Sequence, residues 1–172
     1  MNPDDIIALC RDCAGQIYGT HPPSGRYAES VARLLMGTAA AESLLRHRRQ
    51  IGFSMENPNG AWGLWQTEQH AVADSVRYLA RRRDVLAAAT RFAPSVAEAM
   101  CAGALPRMHM IRDDDRLAVL FARLHYLRVA EAVPDDLRGQ AGYWKKYYNT
   151  RLGKGTVEGY MDKWRQYVEP GL

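Results

Sequence analysis

At 172 residues, the chain is long enough to bury a hydrophobic core, and we expect one domain over residues 1–172. Hydrophobic residues make up 47% and charged residues 24%, which is ordinary for a soluble globular protein. No stretch reaches the roughly eighteen uninterrupted apolar residues that a membrane-spanning helix requires. The net charge of +4 favours polyanions, a class that includes both nucleic acids and bacterial cell walls.

The first third of the chain predicts two helices. Asn2, followed by a proline, is typical of a helix cap, and apolar side chains at helical spacing extend this helix over residues 3–18. Residues 20–25 form a connector, because two consecutive prolines cannot continue a helix. The second helix is predicted from about Arg26 to about His47. The N-terminus lacks the basic region and apolar core of a signal peptide, so none is expected.

The remainder of the chain is also predicted to be mainly helical. Glycines and a proline between residues 50 and 67 indicate loops or a small β-hairpin, and almost no alternating β pattern occurs elsewhere. Further helices are expected over residues 68–80 and 82–92, from the acidic run at 113–115, from Pro134, and from the cap Thr156. The fold class is therefore predicted to be mainly α.

Two basic runs, residues 46–49 and 81–83, carry the densest positive charge. Most such runs are solvated helix ends, and neither has the interleaved aromatic residues of a single-strand-binding surface, so no nucleic-acid partner is expected. The Cys-x-x-Cys pair that begins at Cys10 has the spacing of half a zinc site, but no second ligand pair follows. His70 and Asp74 stand four residues apart without the rest of a coordination sphere. We expect no metal and no cofactor.

Glu42 is an acid on the apolar stripe of the second predicted helix. At about 100° per residue it lies within about 20° of Val31 and Leu35 around the helix axis, so its carboxylate faces the core or the floor of a cleft. Desolvation at such a position raises the pKa, as a general acid working near neutral pH requires. The following residues 55–68 are rich in turn formers and aromatic side chains, and suit a wall that binds saccharides. The alternative is a structural ion pair between Glu42 and a neighbouring arginine.

The pair Glu42-Ser43 at a helix end is followed by Gly-Leu-Trp-Gln at residues 63–66. In this order and at this spacing, the two parts resemble the catalytic core of the soluble lytic transglycosylases and goose-type lysozymes, which carry Glu-Ser and then Gly-Leu-Met-Gln on the cleft wall. Trp65 stands where that family usually has methionine. The resemblance covers residues 30–70 well and the remainder loosely. It implies a lysozyme-like helical domain in which a small loop or β-hairpin wall follows the catalytic helix.

The resemblance also implies roles for single residues. Glu42 would be the general acid and base, and Ser43 would lie at the scissile region of the sugar. The cleft would be lined by Gly63, Leu64, Trp65 and Gln66. Residues 121–126 are similar to the family's helix with an Ala-x-x-Tyr motif, which would bring Tyr126 near the acid. Residues 143–150 and 153–156 resemble the end of lysozyme-like proteins encoded by bacteriophages. Tyr126 and Trp65 could instead pack in the core, and Gln66 could only tie down a turn.

Two reactions are compatible with one catalytic glutamate. A hydrolase uses a second carboxylate to position water or stabilise the oxocarbenium-like ring, and Glu56, Glu68 and Asp74 are candidates by position. A transglycosylase needs none, because Glu42 itself takes a proton from the sugar's hydroxymethyl group and leaves a 1,6-anhydro product. The sequence leaves the choice open, and we prefer the lyase.

The leading interpretation is a monomeric enzyme that cuts the bond between N-acetylmuramic acid and N-acetylglucosamine in peptidoglycan. It would be made in the bacterial cytoplasm and act on the wall after release or delivery, as a phage endolysin or a virion-associated enzyme. The first alternative is a virion or secretion-apparatus component that keeps the fold for binding or assembly. The second is a basic nucleic-acid-binding helical protein, which only the two basic runs support.

Overall fold

The computed structural model describes residues 2–19, 24–50, 52, 54–149 and 153–172, and within them the chain is mainly helical, as predicted. The described α-helices are α1 (Pro3–Gln16), α2 (Gly25–Ser43), α3 (Gln69–Arg81), α4 (Arg83–Phe92), α5 (Val96–Cys101), α6 (Ala104–Asp113), α7 (Asp115–Leu127), α8 (Leu137–Trp144) and α9 (Val157–Tyr167). Strands β1 (Ala61–Trp62) and β2 (Thr67–Glu68) lie between α2 and α3. A π-helical turn, Lys145–Asn149, continues α8, and a 3-10 turn, Glu169–Gly171, follows α9.

The long helix α2 is central to the packing of the fold. It contacts α1, α7, α8 and α9, and most of its second half is buried. A Cβ atom at Gly37 would lie 1.9 Å from the hydroxyl oxygen of Tyr160. Only glycine therefore allows α9 to approach α2 this closely. Buried apolar side chains from α1 through α9 belong to one hydrophobic cluster around α2.

Several helix starts follow from local sequence. The side chain of Asn2 accepts a hydrogen bond from the Asp5 N–H, and the Asp5 carboxylate accepts one from the Asn2 N–H, which makes a capping box for α1. Asp114 accepts from two N–H groups in the first turn of α7, and Thr156 accepts from the Gly159 N–H at the start of α9. These caps satisfy N–H groups that have no partner within the helix. The predicted starts of α1, α7 and α9 are confirmed.

Helix α2 is shorter than predicted. It ends at Ser43 instead of near His47, because Leu44 and Leu45 adopt left-handed backbone conformations with φ of 54° and 57°. Such conformations are disfavoured for residues with a Cβ atom, so tertiary packing rather than local preference stops the helix here. The early end places Glu42 in the last turn of α2.

Two further points concern the connector before α2 and helix α6. The predicted connector falls largely on residues 20–23, which lie outside the described residues. Helix α6 was not predicted. Its buried residues are Met108 and Ile111. Because so few positions of the helix are buried and apolar, its sequence shows little helical periodicity.

The helix predicted to begin at Pro134 starts later and changes its geometry. Asp136 caps α8 by accepting a hydrogen bond from the Gly139 N–H, so the helix begins at Leu137. After Trp144 the regular α-helix gives way to the π-helical turn. A π-helical turn has no distinct sequence period, so an apolar pattern cannot reveal it.

The predicted hairpin after α2 is present. The two strands pair antiparallel, with Ala61 opposite Glu68 and Trp62 opposite Thr67. The reversal between them uses positive φ values at Gly63 (72°) and Gln66 (46°). A Cβ atom at Gly63 would also approach the carbonyl oxygen of Ile111 to 3.0 Å. Backbone conformation and close approach thus both favour glycine at this position.

Arg49 attaches the hairpin and the preceding loop to the segment after α2. Its guanidinium donates to the carbonyl of Ala61 over 3.2 Å and lies 4.0 Å from the centre of the Trp62 ring. It also donates to the carbonyls of Ser54, Asn57 and Asn59. In the described ranges, no helix is both long and apolar enough to cross a membrane.

Candidate functional site

Glu42 is half-buried in the last turn of α2 and is held by two neutral donors. The indole Nε1–H of Trp144, at the end of α8, donates to Glu42 Oε1 over 2.9 Å. The side-chain amide of Asn149, at the end of the π-helical turn, lies close enough to the carboxylate to act as a second donor that lowers its pKa. The acid on the apolar stripe of α2 therefore meets the C-terminal part of the chain rather than open solvent.

The pKa of Glu42 is raised from its ordinary value of 4.5 to about 7. Burial is the largest cause, because desolvation disfavours the charged form. The hydrogen bond from Trp144, the positive charge of Lys163 and the hydrogen bond from Asn149 lower the pKa less, and the negative charge of Glu68 raises it. Both forms of Glu42 are thus populated near neutral pH, as a group that donates and then accepts a proton requires.

The alternative of an ion pair with a neighbouring arginine has no counterpart in the described part of the chain. Arg48 pairs with Asp115, and Arg49 lies over the Trp62 ring. Glu42 instead has neutral hydrogen-bond donors, and the cation whose charge acts on it belongs to a lysine.

Lys145 fixes the orientation of the Asn149 amide. Its Nζ donates to Asn149 Oδ1 over 2.9 Å and to the carbonyl of Gly153 over 2.8 Å. Because an ammonium group can only donate, the oxygen of the amide faces Lys145 and its NH₂ group is the donor to Glu42. Both residues lie in the π-helical turn, a rare conformation that occurs frequently at functional sites.

Lys163 of α9 brings a positive charge to the end of α2. Its Nζ donates to the carbonyl of Ala41. This carbonyl is among the last four of α2, which have no partner within the helix, and a cation is favourable at that end. The contact holds the ammonium group next to Glu42, where its charge favours the ionised carboxylate.

Leu64 and Trp65 form the inner side of the wall, which is the hairpin segment 63–68 beside α2. Both side chains are buried, and the Nε1–H of Trp65 donates to the carbonyl of Leu35 over 2.9 Å. This hydrogen bond joins the hairpin to the middle of α2. The role in sugar binding that the resemblance implies for these two side chains stays a prediction.

Gln66 holds the turn of the hairpin. Its Nε2 donates to the carbonyls of His47, over 3.0 Å, and Gly63, over 2.8 Å. The side chain is largely buried and thus ties the wall to the segment that follows α2. The turn residues 63–66 are all buried, so Gln66 acts here as a structural tie within the wall.

Strained backbone is concentrated in this region. The non-glycine residues with positive φ in the described part of the chain are Leu44, Leu45 and Gln66. The first two follow Glu42 directly, and the third closes the wall. Each such conformation costs on the order of 1 kcal/mol and persists only where the surroundings enforce it, and such residues cluster at active sites.

Ser43 and Tyr126 lie close to Glu42 in the fold, but their polar groups are already bonded. The Ser43 hydroxyl donates to the carbonyl of Ala39 over 2.9 Å within α2, and its side chain is buried. The Tyr126 hydroxyl lies 2.7 Å from Thr38 Oγ1, one turn before Glu42. Burial raises the pKa of Tyr126, and the Glu42 charge contributes. Substrate contact by either residue stays a prediction.

The three candidate second carboxylates differ in their surroundings. Glu68 is exposed, its Oε2 lies 3.2 Å from His70 Nδ1, and its charge acts on Glu42. Glu56 is exposed in the loop before β1.

Asp74 of α3 is committed to two arginines. It pairs with Arg77 and, over 3.3 Å, with Arg128. Partial burial raises its pKa, but the hydrogen bonds and charges of Arg128 and Arg77 outweigh this effect, so the pKa lies below its ordinary value. Of the three candidates, Glu68 is the one that influences Glu42.

Sequence reasoning missed the residues that contact Glu42 and the one that joins the wall to them. Trp144, Asn149 and Lys163 surround the carboxylate. Tyr148 donates to the carbonyl of Trp65 over 2.7 Å, which connects the π-helical turn to the wall. The signal in the sequence is the aromatic and lysine-rich block at residues 143–150, which by itself predicts a biological context rather than a chemical role.

Two of the three cysteines, Cys10 and Cys13, belong to the core rather than to a site, whereas Cys101 is exposed. Cys10 and Cys13 are buried on α1, and desolvation raises the pKa of both thiols. Throughout the described residues, no three His, Cys, Asp or Glu side chains come close enough together to hold a metal ion.

No protein-family model, curated protein or solved structure matches this chain. The resemblance to lytic transglycosylases and goose-type lysozymes therefore rests on the motif residues alone and stays a prediction.

Proposed function

We propose that this protein cleaves peptidoglycan at the β-1,4 bond between N-acetylmuramic acid and N-acetylglucosamine, with Glu42 as general acid and base on a lysozyme-like fold. The carboxyl group of Glu42 is the observation that carries this proposal. It is half-buried, held by two neutral donors, and has a pKa of about 7. At neutral pH a large fraction is protonated and can deliver a proton to the glycosidic oxygen.

The surroundings of Glu42 suit the first chemical step. When Glu42 protonates the glycosidic oxygen, the sugar ring left behind becomes oxocarbenium-like and Glu42 becomes a carboxylate. Trp144 donates a hydrogen bond to that carboxylate, and the nearby Asn149 amide and the Lys163 charge stabilise it further. Because these groups favour the ionised form, giving up the proton costs less than it would for an acid buried without donors.

For the second step we favour intramolecular closure. The Glu42 carboxylate would remove the proton from the C6 hydroxyl of the muramoyl sugar, and that oxygen would bond to C1 and leave a 1,6-anhydro ring. Two of the three candidate carboxylates support this choice, because Glu68 is exposed and lies beside His70, and Asp74 is paired with two arginines. A hydrolytic lysozyme would need one of the candidate carboxylates to act on water.

Zymography on purified peptidoglycan tests the activity. We expect a clearing band from the wild type and none from Glu42→Gln, which keeps the side-chain volume but cannot donate the proton. Loss of one general acid typically lowers the rate by about 10²–10⁴-fold. Glu68→Gln is the matched control, since it removes an exposed carboxylate and should retain clearing. Activity retained by Glu42→Gln would refute the assignment.

The products distinguish the lyase from the hydrolase. Muropeptides that end in 1,6-anhydro-N-acetylmuramic acid are lighter by one water than hydrolysed ones, so mass spectrometry of a digest separates them. Reducing ends would refute the lyase and direct attention to Glu68, Glu56 and Asp74. In that case the variant of the true second carboxylate should lose nearly as much rate as Glu42→Gln, since residues that act as one unit are not additive.

The proposed setting is the bacterial wall, reached as a phage endolysin or as part of a virion. It is supported by the resemblance of residues 143–150 and 153–156 to phage-encoded lysozyme-like proteins. A non-catalytic virion or apparatus component would bind peptidoglycan in a pull-down but produce no clearing. The nucleic-acid alternative is less favoured, because Arg48 and Arg82 of the two basic runs are paired with aspartates.

A further inference from the structure

The π-helical turn that carries Asn149 is held from a second side by α7. His125 of α7 places its Nε2 2.6 Å from the carbonyl oxygen of Tyr147. Its other ring nitrogen, Nδ1, lies 3.2 Å from Nη2 of Arg128. A carbonyl only accepts and a guanidinium only donates, so the ring is neutral with its proton on Nε2.

The surroundings of His125 keep the ring in this form. Desolvation is the largest cause and lowers the pKa of His125, and the charges of Arg128 and His70 lower it further. The hydrogen bond with Tyr147 and the charge of Asp74 raise the pKa. The net pKa lies below the ordinary value, so the ring stays neutral at neutral pH. The ring centre also lies 5.0 Å from that of Tyr148, in an edge-to-face contact.

The bonded carbonyl belongs to the π-helical turn itself, since Tyr147 lies two residues before Asn149. His125 bonds this carbonyl and so fixes the peptide that leads to Tyr148 and Asn149. On the opposite side, the Tyr148 hydroxyl is tied to the carbonyl of Trp65 and lies 3.0 Å from Thr67 Oγ1.

We propose that His125 is a positioning residue that keeps the Asn149 amide on the Glu42 carboxylate by holding the carbonyl of Tyr147. His125 acts through the backbone of the π-helical turn rather than on Glu42 itself. The catalytic meaning of this role rests on the proposed function. The positioning itself is a property of the folded protein and can be measured without a substrate.

The test is a carbon NMR titration of protein labelled with ¹³C at the glutamate carboxyl groups, in which the Glu42 signal is assigned by its loss in Glu42→Gln. The proteins are the wild type, Asn149→Ala, His125→Leu, His125→Gln, and the double variant of His125→Leu with Asn149→Ala. The glutamine amide reaches about as far as the ring Nε2 and can still donate to Tyr147, whereas leucine cannot.

We expect Asn149→Ala to move the Glu42 titration upward by about 0.5 to 1 pH unit, because a hydrogen bond that favours the carboxylate is lost. His125→Leu should give most of the same shift, His125→Gln should restore the wild-type midpoint, and the double variant should match Asn149→Ala alone. A midpoint in His125→Leu that equals the wild type, or a double variant whose shift is the sum of the two, would overturn the positioning role.

Kinetics on peptidoglycan then separate this proposal from the proposed function. His125→Leu should lower kcat about tenfold with little change in KM. The alkaline limb of its pH–activity profile should move to higher pH together with the NMR midpoint, and a mere loss of folded protein would not cause this shift. If the wild type does not cleave peptidoglycan, the proposed function fails, while the NMR titration still decides whether His125 positions Asn149.

Discussion

Two regions meet at Glu42, and they contribute in different ways. The wall, residues 63–68, carries the recognisable motif, yet Leu64, Trp65 and Gln66 are buried. Trp65 and Gln66 donate hydrogen bonds to backbone carbonyls in α2 and in the segment that follows it. The C-terminal block, residues 144–163, carries little recognisable motif, but supplies the groups that contact the carboxylate. A short motif can therefore mark the scaffold of a site while distant residues determine the protonation of its acid.

The difference has a physical basis. A tight turn favours glycine at fixed positions, as at Gly63, so it leaves a local pattern in the sequence. A hydrogen bond to Glu42 needs only one donor at the right point in space, and any element that packs against the end of α2 can provide it. Variants of the two regions should accordingly change different properties of the protein.

The largest effect is expected from Glu42 itself, through pH-dependent stability. Its pKa is about 7 in the folded protein against 4.5 ordinarily, so the folded state binds the proton more tightly. The free energy of unfolding then falls as pH rises from about 4.5 to about 7. Glu42→Gln lacks this loss and should be more stable than the wild type by up to about 3 kcal/mol at pH 8, with little difference at pH 4.

Denaturant unfolding of both proteins at the two pH values measures this difference. A variant that is less stable than the wild type at pH 8 would instead indicate that the charged Glu42 is stabilised by a buried ion pair.

Gly155 is the next most sensitive position, and it tests the C-terminal block. A Cβ atom there would lie 2.4 Å from Cη2 of Trp144 and 3.1 Å from Nδ2 of Asn149. Gly155→Ala should therefore displace both donors, cost about 1–3 kcal/mol, and reduce wall cleavage about tenfold. Calorimetry and a turbidity assay on cell walls measure the two effects.

Gly142→Ala is the matched control, because nothing lies within 4 Å of the added Cβ in α8. It should stabilise the protein by about 0.5–1 kcal/mol and leave activity unchanged. Equal activity losses in the two variants would show that crowding of the Glu42 donors is not the cause.

Trp65→Phe tests how the wall contributes to stability and to the pKa of Glu42. The change removes the hydrogen bond to the carbonyl of Leu35 and leaves a small void, at a cost of about 1–2 kcal/mol. Because the lost contacts do not reach Glu42, the midpoint of the alkaline limb should stay near pH 7. If the alkaline limb of the pH–activity profile shifted while stability stayed unchanged, the wall would also determine the pKa of Glu42, and the two regions would not differ in this respect.

The smallest predicted effect belongs to Lys163. Its positive charge favours the Glu42 carboxylate, so Lys163→Met should raise the Glu42 pKa and move the alkaline limb upward by about half a pH unit. Lys163→Arg keeps the charge and should restore the limb. Arg165→Met, which alters an exposed residue of α9, is the control for net charge. A downward shift in Lys163→Met would contradict the electrostatic role.

Local features of the sequence determined much of the fold. Asn2, Asp114 and Thr156 start helices because a side-chain oxygen one turn away satisfies N–H groups that the helix leaves unpaired. The facing of Glu42 follows from helical spacing, whereas its raised pKa also needs the burial that other elements provide. These predictions rest on interactions between residues a few positions apart, which the order of residues specifies directly.

Tertiary structure alone decided how α2 ends and what contacts its acid. Leu44 and Leu45 adopt conformations that their own preferences oppose, so only packing can impose them. Trp144, Asn149 and Lys163 lie more than a hundred positions after Glu42 and reach it because α8, the π-helical turn and α9 pack on the end of α2. Helical periodicity indicates which face of a helix is buried but not which residue covers it, since that depends on the crossing of whole elements in three dimensions.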